Sequence, residues 1–243
     1  MLLPVSPALG GVLAVLLVSA AAVAAWASLG RSREIAVAGV RAAAQLAAVS
    51  LLIGWVVRSP GPLLGCLLLM FVAAVRTAGR RITPNRTWWA ALPIAAGVVP
   101  VVVALLLTGL LPLRGIALIP VTGILIGGAL TATVLGGRRA LDELGSRRGE
   151  VEAGMALGLP DRDARLEIAR PAASDALLPG LDQTRTVGLV TLPGAFVGML
   201  LGGASPVEAG AVQLFVLVAL MAVQAVAVAL VLELIARGVL HRE

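Results

Sequence analysis

Arg41 and Gln45 stand four residues apart inside an apolar run, 35–57. On a helix that spacing brings two side chains to one face. A guanidinium and a carboxamide placed there could hold an anionic or oxygen-rich solute, or Arg41 could anchor a carboxylate from a neighbouring helix. A plainer use competes: Arg41 lies near the start of the run, and its stem can carry the charge back to an interface. Pro193 followed by Gly194 breaks a second apolar stretch. Such a break frees backbone carbonyls that must be met by neighbours or by a water-lined cavity, and transporters place breaks of this kind near binding sites. Thr122 and Gly123 sit in a third apolar run and join this candidate translocation path, although Gly123-x₃-Gly127, like Gly194-x₃-Gly198-x₃-Gly202, also suits close helix packing. Gln213 and Gln224 could face a lumen or bond between helices. Glu208 and Glu233 lie near span ends and read as interfacial groups.

Other chemistry is excluded by what the chain lacks. There is one cysteine, Cys66, in an apolar run, and one histidine, His241, near the end. No disulfide framework and no Cys/His metal cluster can form within one chain, so no metal ligands are assigned. All 19 basic residues are arginine. A phosphate-binding P-loop needs a lysine, so ATP hydrolysis cannot reside here. With no Ser–His–Asp, Cys–His or paired-carboxylate site, the chain is not expected to be an enzyme, nor to bind a cofactor of its own.

The elements that must position these residues follow from composition. Mean hydropathy is +1.02, and only 13% of residues are charged, far from the balance of a soluble domain. Seven apolar segments, near 8–29, 35–57, 61–76, 89–111, 114–137, 186–203 and 208–236, predict an all-α polytopic membrane protein forming a single domain over 1–243. The segment 186–203 is short and carries Pro193 and five glycines, so a broken or re-entrant helix is an alternative there. On this reading 16 of the 19 arginines fall on one side, which the positive-inside rule makes cytoplasmic. Arg58 and Arg114 fall on the other. The N-terminus is then outside and the C-terminus inside. The Arg-only, Ala/Gly/Val/Leu-rich composition suits a GC-rich bacterial gene and hence a bacterial plasma membrane, and the N-terminus lacks the basic region of a cleaved signal peptide. Basic loops meet lipid headgroups; no basic, aromatic-interleaved patch suggests nucleic acid.

One long loop, 138–185, is predicted in the cytoplasm. Val151, Met155 and Leu159 give it an apolar stripe at helical spacing. Gly158 permits a left-handed turn, and Pro160 suits the start of a second helix. Asp161 and Asp163 favour that start through the helix dipole, and Pro171 is expected to end the helix near Arg170. A helix–turn–helix knob beneath the bilayer results, or else an interfacial helix covering the cytoplasmic face.

Glu152, Ala153 and Gly154, then Gly158, Ile168 and Pro171, fall at the offsets of the EAA loop of ABC transporter permeases, E-A-A-x₃-G-x₉-I-x-L-P. Gly154 stands for the second Ala and Arg170 for Leu. "RAAAQL" (41–46), "LIPVTGILIGGALTATVLGGRRALDEL" (118–144) and "TVGLVTLPGAFVGMLLGGASPVEAGAVQ" (186–213) resemble a narrower group, the small permeases that include the iron-export permease FetB and the plant aluminium-tolerance permeases. The resemblance runs from about 35 to 236. Gly128 replaces that pattern's Asn, Val197 and Met199 its Thr and Gln, and Val212 its Tyr, which removes polar groups from pore-facing positions.

The resemblance implies an ABC transporter permease that couples through Glu152, Ala153, Gly154, Gly158, Ile168 and Pro171. Two copies of a separate ATPase would use ATP and Mg, and the permease would be a homodimer. The path is expected at Arg41, Gln45, Thr122, Gly123, Pro193 and Gly194, and the cargo to be exported iron or another metal species. A nucleotide sugar or other anionic solute, and an ATPase-independent transporter or channel, remain the alternatives.

Overall fold

The computed structural model describes residues 6–56, 60–83, 87–111, 113 and 115–241. Arg58 and Arg114, named above for orientation, and Arg86 and Arg242, two of the sixteen arginines counted on the other side, lie outside the described residues. The chain falls into two compact units, Met1–Arg58 and Ser59–Glu243.

The first unit is a helical hairpin. α1 spans Pro7–Trp26 and starts with Ser6, whose side chain accepts from the Leu9 amide, while α2 spans Ser32–Val56. The turn between them uses positive φ at Ser28 and Gly30. Leu17 presses against Gly39, where a Cβ would lie 2.5 Å from Leu17 Cδ1.

The second unit contains α3 (Pro60–Ile82), a 3₁₀ turn at Thr87–Ala90, α4 (Ala91–Leu107), α5 (Gly115–Ser146), α6 (Arg148–Ala156), α7 (Asp161–Ser174), a 3₁₀ turn at Asp175–Leu177, α8 (Leu178–Thr186), α9 (Gly194–Leu201) and α10 (Pro206–Ala236). Small residues let its long helices approach closely. A Cβ on Gly97 of α4 would meet the Val223 carbonyl of α10 at 2.9 Å, and one on Gly128 of α5 would meet Leu220 at 2.4 Å. Around these contacts the core gathers Val75, Ile94, Leu125, Val223 and Val231.

Six helices among the described residues are long and apolar enough to cross a membrane: α1, α2, α3, the Thr87–Leu107 segment, α5 and α10. The all-α, polytopic expectation stands, but the seventh span does not exist as one helix. Residues 186–203 hold only the eight-residue α9 and a non-helical stretch before it. A crossing is nevertheless present. Gly128 faces Leu220 and Gln224, Gly136 faces Val228, and Gly137 faces Val231, so α5 and α10 run parallel. Two parallel neighbouring spans require the chain between them to return.

That return leg starts earlier than the hydropathy suggested. Asp175 pairs with Arg139 of α5 at 2.7 Å, Ala176 lies beside Gly136, and Gly180 lies against Gln224. Val187, Pro193 and Phe196 then reach Gly210 to Leu217. The leg therefore climbs α10 from its C-terminal half toward its N-terminal half. Arg185, assigned above to the cytoplasmic loop, lies on this leg, and the loop itself ends near Ser174.

Candidate functional site

The knob begins where α5 runs past the bilayer. At 32 residues α5 is about 48 Å long, well beyond a hydrocarbon core of about 30 Å. α6 ends in a Schellman turn: the Gly158 amide donates to the Met155 carbonyl at 2.9 Å and the Leu159 amide to the Gly154 carbonyl at 3.1 Å. Gly158 holds φ +98°, the left-handed value that such an ending needs and that glycine supplies without strain. Gly154 faces α7 without being needed for its approach, since a Cβ there would sit in ordinary contact, 3.4 Å from Leu159 Cδ1 and 3.5 Å from the Ala164 Cβ.

Ile168 is not a surface contact. It is buried with Val151 and Ala164, packed by Leu144, as the internal staple of the knob. Of the expected apolar stripe only Val151 is buried; Met155, Leu157 and Leu159 are exposed at the tip. Glu152 is exposed and bonded to Arg148 at 3.0 Å, and Ala153 is exposed beside it. Pro171 does not stop α7, which continues to Ser174 with Pro171 exposed inside it. A proline in a helix interior costs about 3 kcal/mol. Burial of Ala164, Leu166, Ile168, Ala169 and Ala173 on the same helix offsets it, and Pro171 gains one partner as Ser174 Oγ donates to its carbonyl at 2.7 Å.

The knob is bolted to the last span. Arg162 of α7 grips Glu233 of α10 with both ends of its guanidinium, at 2.8 and 2.7 Å, and Arg237 donates to the same carboxylate at 2.6 Å. Glu233 raises the Arg162 pKa through those hydrogen bonds. At the base, Arg147 holds Glu150 and Glu143, and the Arg147 hydrogen bond keeps the Glu150 carboxyl below the usual carboxylate range.

Above the knob, the return leg is broken at 187–193. Within the break the Thr186 carbonyl accepts from the Val190 amide at 2.9 Å and the Thr191 carbonyl from Gly188 at 2.8 Å. A chamber of about 210 Å³ lies between this break and α10, with Gly188, Pro193, Phe196 and Gln213 in its wall. Gln213 is 5% exposed, and its Oε1 has no partner; the same holds for Thr122 Oγ1, Thr133 Oγ1 and Gln224 Oε1. Unmet buried polar atoms each cost about 1–3 kcal/mol; two of these stand on α5 and two on α10. Among the described residues no group of three or more His, Cys, Asp or Glu could hold a metal ion.

Of the residues expected on the path, Pro193 lines the chamber and Gly194 opens α9 after it. Thr122 is buried on α5 with its Oγ1 unpartnered, and Gly123 meets Met70 of α3, whose Cε would be 2.7 Å from a Cβ. Arg41 and Gln45 lie on α2 of the hairpin, exposed. Glu208, read above as interfacial, forms a capping box with Ser205 at the start of α10.

Residues 9–240 match the family described as Uncharacterised protein family (UPF0014). The chain is a member of UPF0014. It is 37% identical to Protein ALUMINUM SENSITIVE 3 of Arabidopsis thaliana over 62% of this chain and 56% of that one. It is 34% identical to UPF0014 membrane protein STAR2 of Oryza sativa subsp. japonica, over 79% and 69%. With the Probable iron export permease protein FetB of Escherichia coli (strain K12) it shares 29% identity, over 52% and 48%. The chain thus spans about half the length of two of these relatives. No solved structure matches it.

In this UPF0014 chain the sequence reading missed Asp182, Gln183 and Arg185. Gly180 of the same short helix packs on Gln224, so α8 stands level with the middle of α10. Asp182 and Arg185 are both exposed there, 3.6 Å apart. Ionisable groups at that depth face protein or a water-filled cavity. The signal that could have found them is the sequence DQTR at 182–185, directly before the apolar run of 186–203.

Proposed function

We propose that this chain is the permease subunit of an ABC transporter that exports iron or another metal species, driven by a separate ATPase. The observation that carries the reading is mechanical: the knob of α6 and α7 is packed on α5 and ion-paired to α10 through Arg162 and Glu233. Displacing its tip therefore pulls on two parallel spans at once. The exposed Glu152, Ala153, Gly158, Met155 and Leu157 form the part available to an ATPase groove, while buried Ile168 holds the tip's shape.

Two permease copies would pair with two ATPase copies, which bind the ATP and Mg; this chain would contribute no cofactor of its own and touch lipid, not nucleic acid. The knob and the C-terminus share one side of the unit, the end of α10 that carries Arg237. Eight arginines stand at 138–170 and 237, which supports a cytoplasmic placement. The path would follow the return leg, from Asp182, Gln183 and Arg185 to Gln213, Pro193 and Gly194. Export is taken from the name of the FetB relative.

The test is reconstitution of the full chain with a partner ABC ATPase. Glu152→Ala and Gly158→Pro should leave the membrane part folded while cutting transport-coupled ATP hydrolysis at least tenfold. Full coupled transport by both variants, in complexes that still copurify, would refute the coupling role. Stimulation of the wild type by metal species, against nucleotide sugars, checks the cargo.

A further inference from the structure

α8 carries an acid and a base deep in the membrane and leaves both uncovered. Gln224, on which Gly180 packs, is the nineteenth of the 31 residues of α10. That is three residues, about 4.5 Å, from the middle of the helix, well inside a hydrocarbon core of about 30 Å. Asp182 and Arg185 stand near this level with side chains 67% and 70% exposed. They lie 3.6 Å apart, too far for a hydrogen bond, so the carboxylate keeps its acceptors and the guanidinium its donors for another partner. Gln183 between them is exposed as well. Charged groups at this depth meet protein or a water-filled cavity, and at that exposure no described residue forms a wall over them.

A second copy of the chain has the chemistry to form it. Two copies inserted in one orientation are related by a two-fold axis along the membrane normal, and the same patch then faces itself. Each residue meets its counterpart's depth. An acid and a base three residues apart differ in depth by at most about 4.5 Å, within reach of an arginine side chain, so the patch is self-complementary. Lipid tails offer no charge there, and an ATPase at the knob does not reach so deep. We infer that α8 is the contact between two permease copies, with Asp182 of each copy pairing with Arg185 of the other, so that each copy closes the polar path of its neighbour. The inference rests on the two-copy reading above and names the surface on which the copies meet.

The test coexpresses two differently tagged full chains without the ATPase and counts mixed-tag dimers by tandem affinity purification and native mass spectrometry. Arg185→Glu leaves a chain with two acids on α8, and Asp182→Arg a chain with two bases. Either variant paired with itself should dimerise at least tenfold less than wild type. The acidic chain coexpressed with the basic one should recover dimers to near the wild-type level. An ion pair confined to one chain predicts no such preference, because neither variant can form it alone or mixed. A second pair introduces no added charge: Asp182→Cys in one chain and Arg185→Cys in the other, each with Cys66→Ala, should give a mixed disulfide dimer on mild oxidation.

Acid–base dimers no more frequent than acid–acid ones, or cysteine chains that do not cross-link, overturn α8 as the contact and leave the two-copy reading standing. Wild-type chains that do not copurify with each other also overturn the inference. A single permease copy in the assembled complex with the ATPase overturns both the inference and the two-copy reading.

Discussion

Gly158 and Gly154 carry different demands four residues apart. Gly158 needs its positive φ, so Gly158→Ala should cost about 1–2 kcal/mol, read as a lower melting temperature and faster amide exchange across 152–160. Gly154 needs only space, and the space for one methyl exists. Gly154→Ala should therefore be neutral or stabilise by up to about 1 kcal/mol, with coupling retained. A loss above 1 kcal/mol would show that α6 and α7 pack more tightly than described. Protonation acts at this scale too. The folded Glu150 carboxyl is held below its unfolded value by Arg147, so the stability of that pair is present at neutral pH and is lost as pH falls through the folded value. Amide exchange at 147–152 should accelerate on acidification, and Glu150→Gln should remove that dependence.

Among the elements, the α7–α10 junction and the return leg do separate work. Arg162→Ala removes one grip of the knob on α10. The pair is half exposed and screened, so thermal stability should fall little, while ATP hydrolysis should proceed with less transport per ATP. Equal coupling ratios in wild type and variant would discount the junction. On the leg, Asp182→Asn with Arg185→Gln keeps size and removes charge. Transport should fall at least tenfold with the complex intact; unchanged flux would show that this polar face lines no path. The elements were unevenly legible. α1, α2, α4 and α10 were visible as apolar runs, and the Gly158 turn as a glycine before a proline. α8 was not, because Leu178–Thr186 is polar and gives no hydropathy signal although Gly180 packs on Gln224.

At the scale of the whole molecule, the six long helices and one broken leg among the described residues would make an odd number of crossings. In a Cys66→Ala background, single cysteines at Gly149 and His241 should react with an impermeant maleimide from one side, and one at Val207 from the other. Labelling of Val207→Cys and His241→Cys from the same side would mean that α10 does not span. The knob at one end of α5 and α10 and the chamber near the other end of α10 are joined by continuous helix. A displacement at Glu233 has rigid elements through which to reach Gln213.

Sequence alone determined that the chain is helical and membrane-embedded, and that a glycine-hinged knob interrupts its second half. Those conclusions rest on composition and local spacing, which a chain carries wherever it folds. Only the tertiary structure decided that α5 and α10 run parallel, that Asp175 already begins the return crossing, that Ile168 faces inward, and that Gln213 is buried without a partner. Each of these depends on which distant residue lies opposite, and no local pattern of hydropathy or charge contains that information.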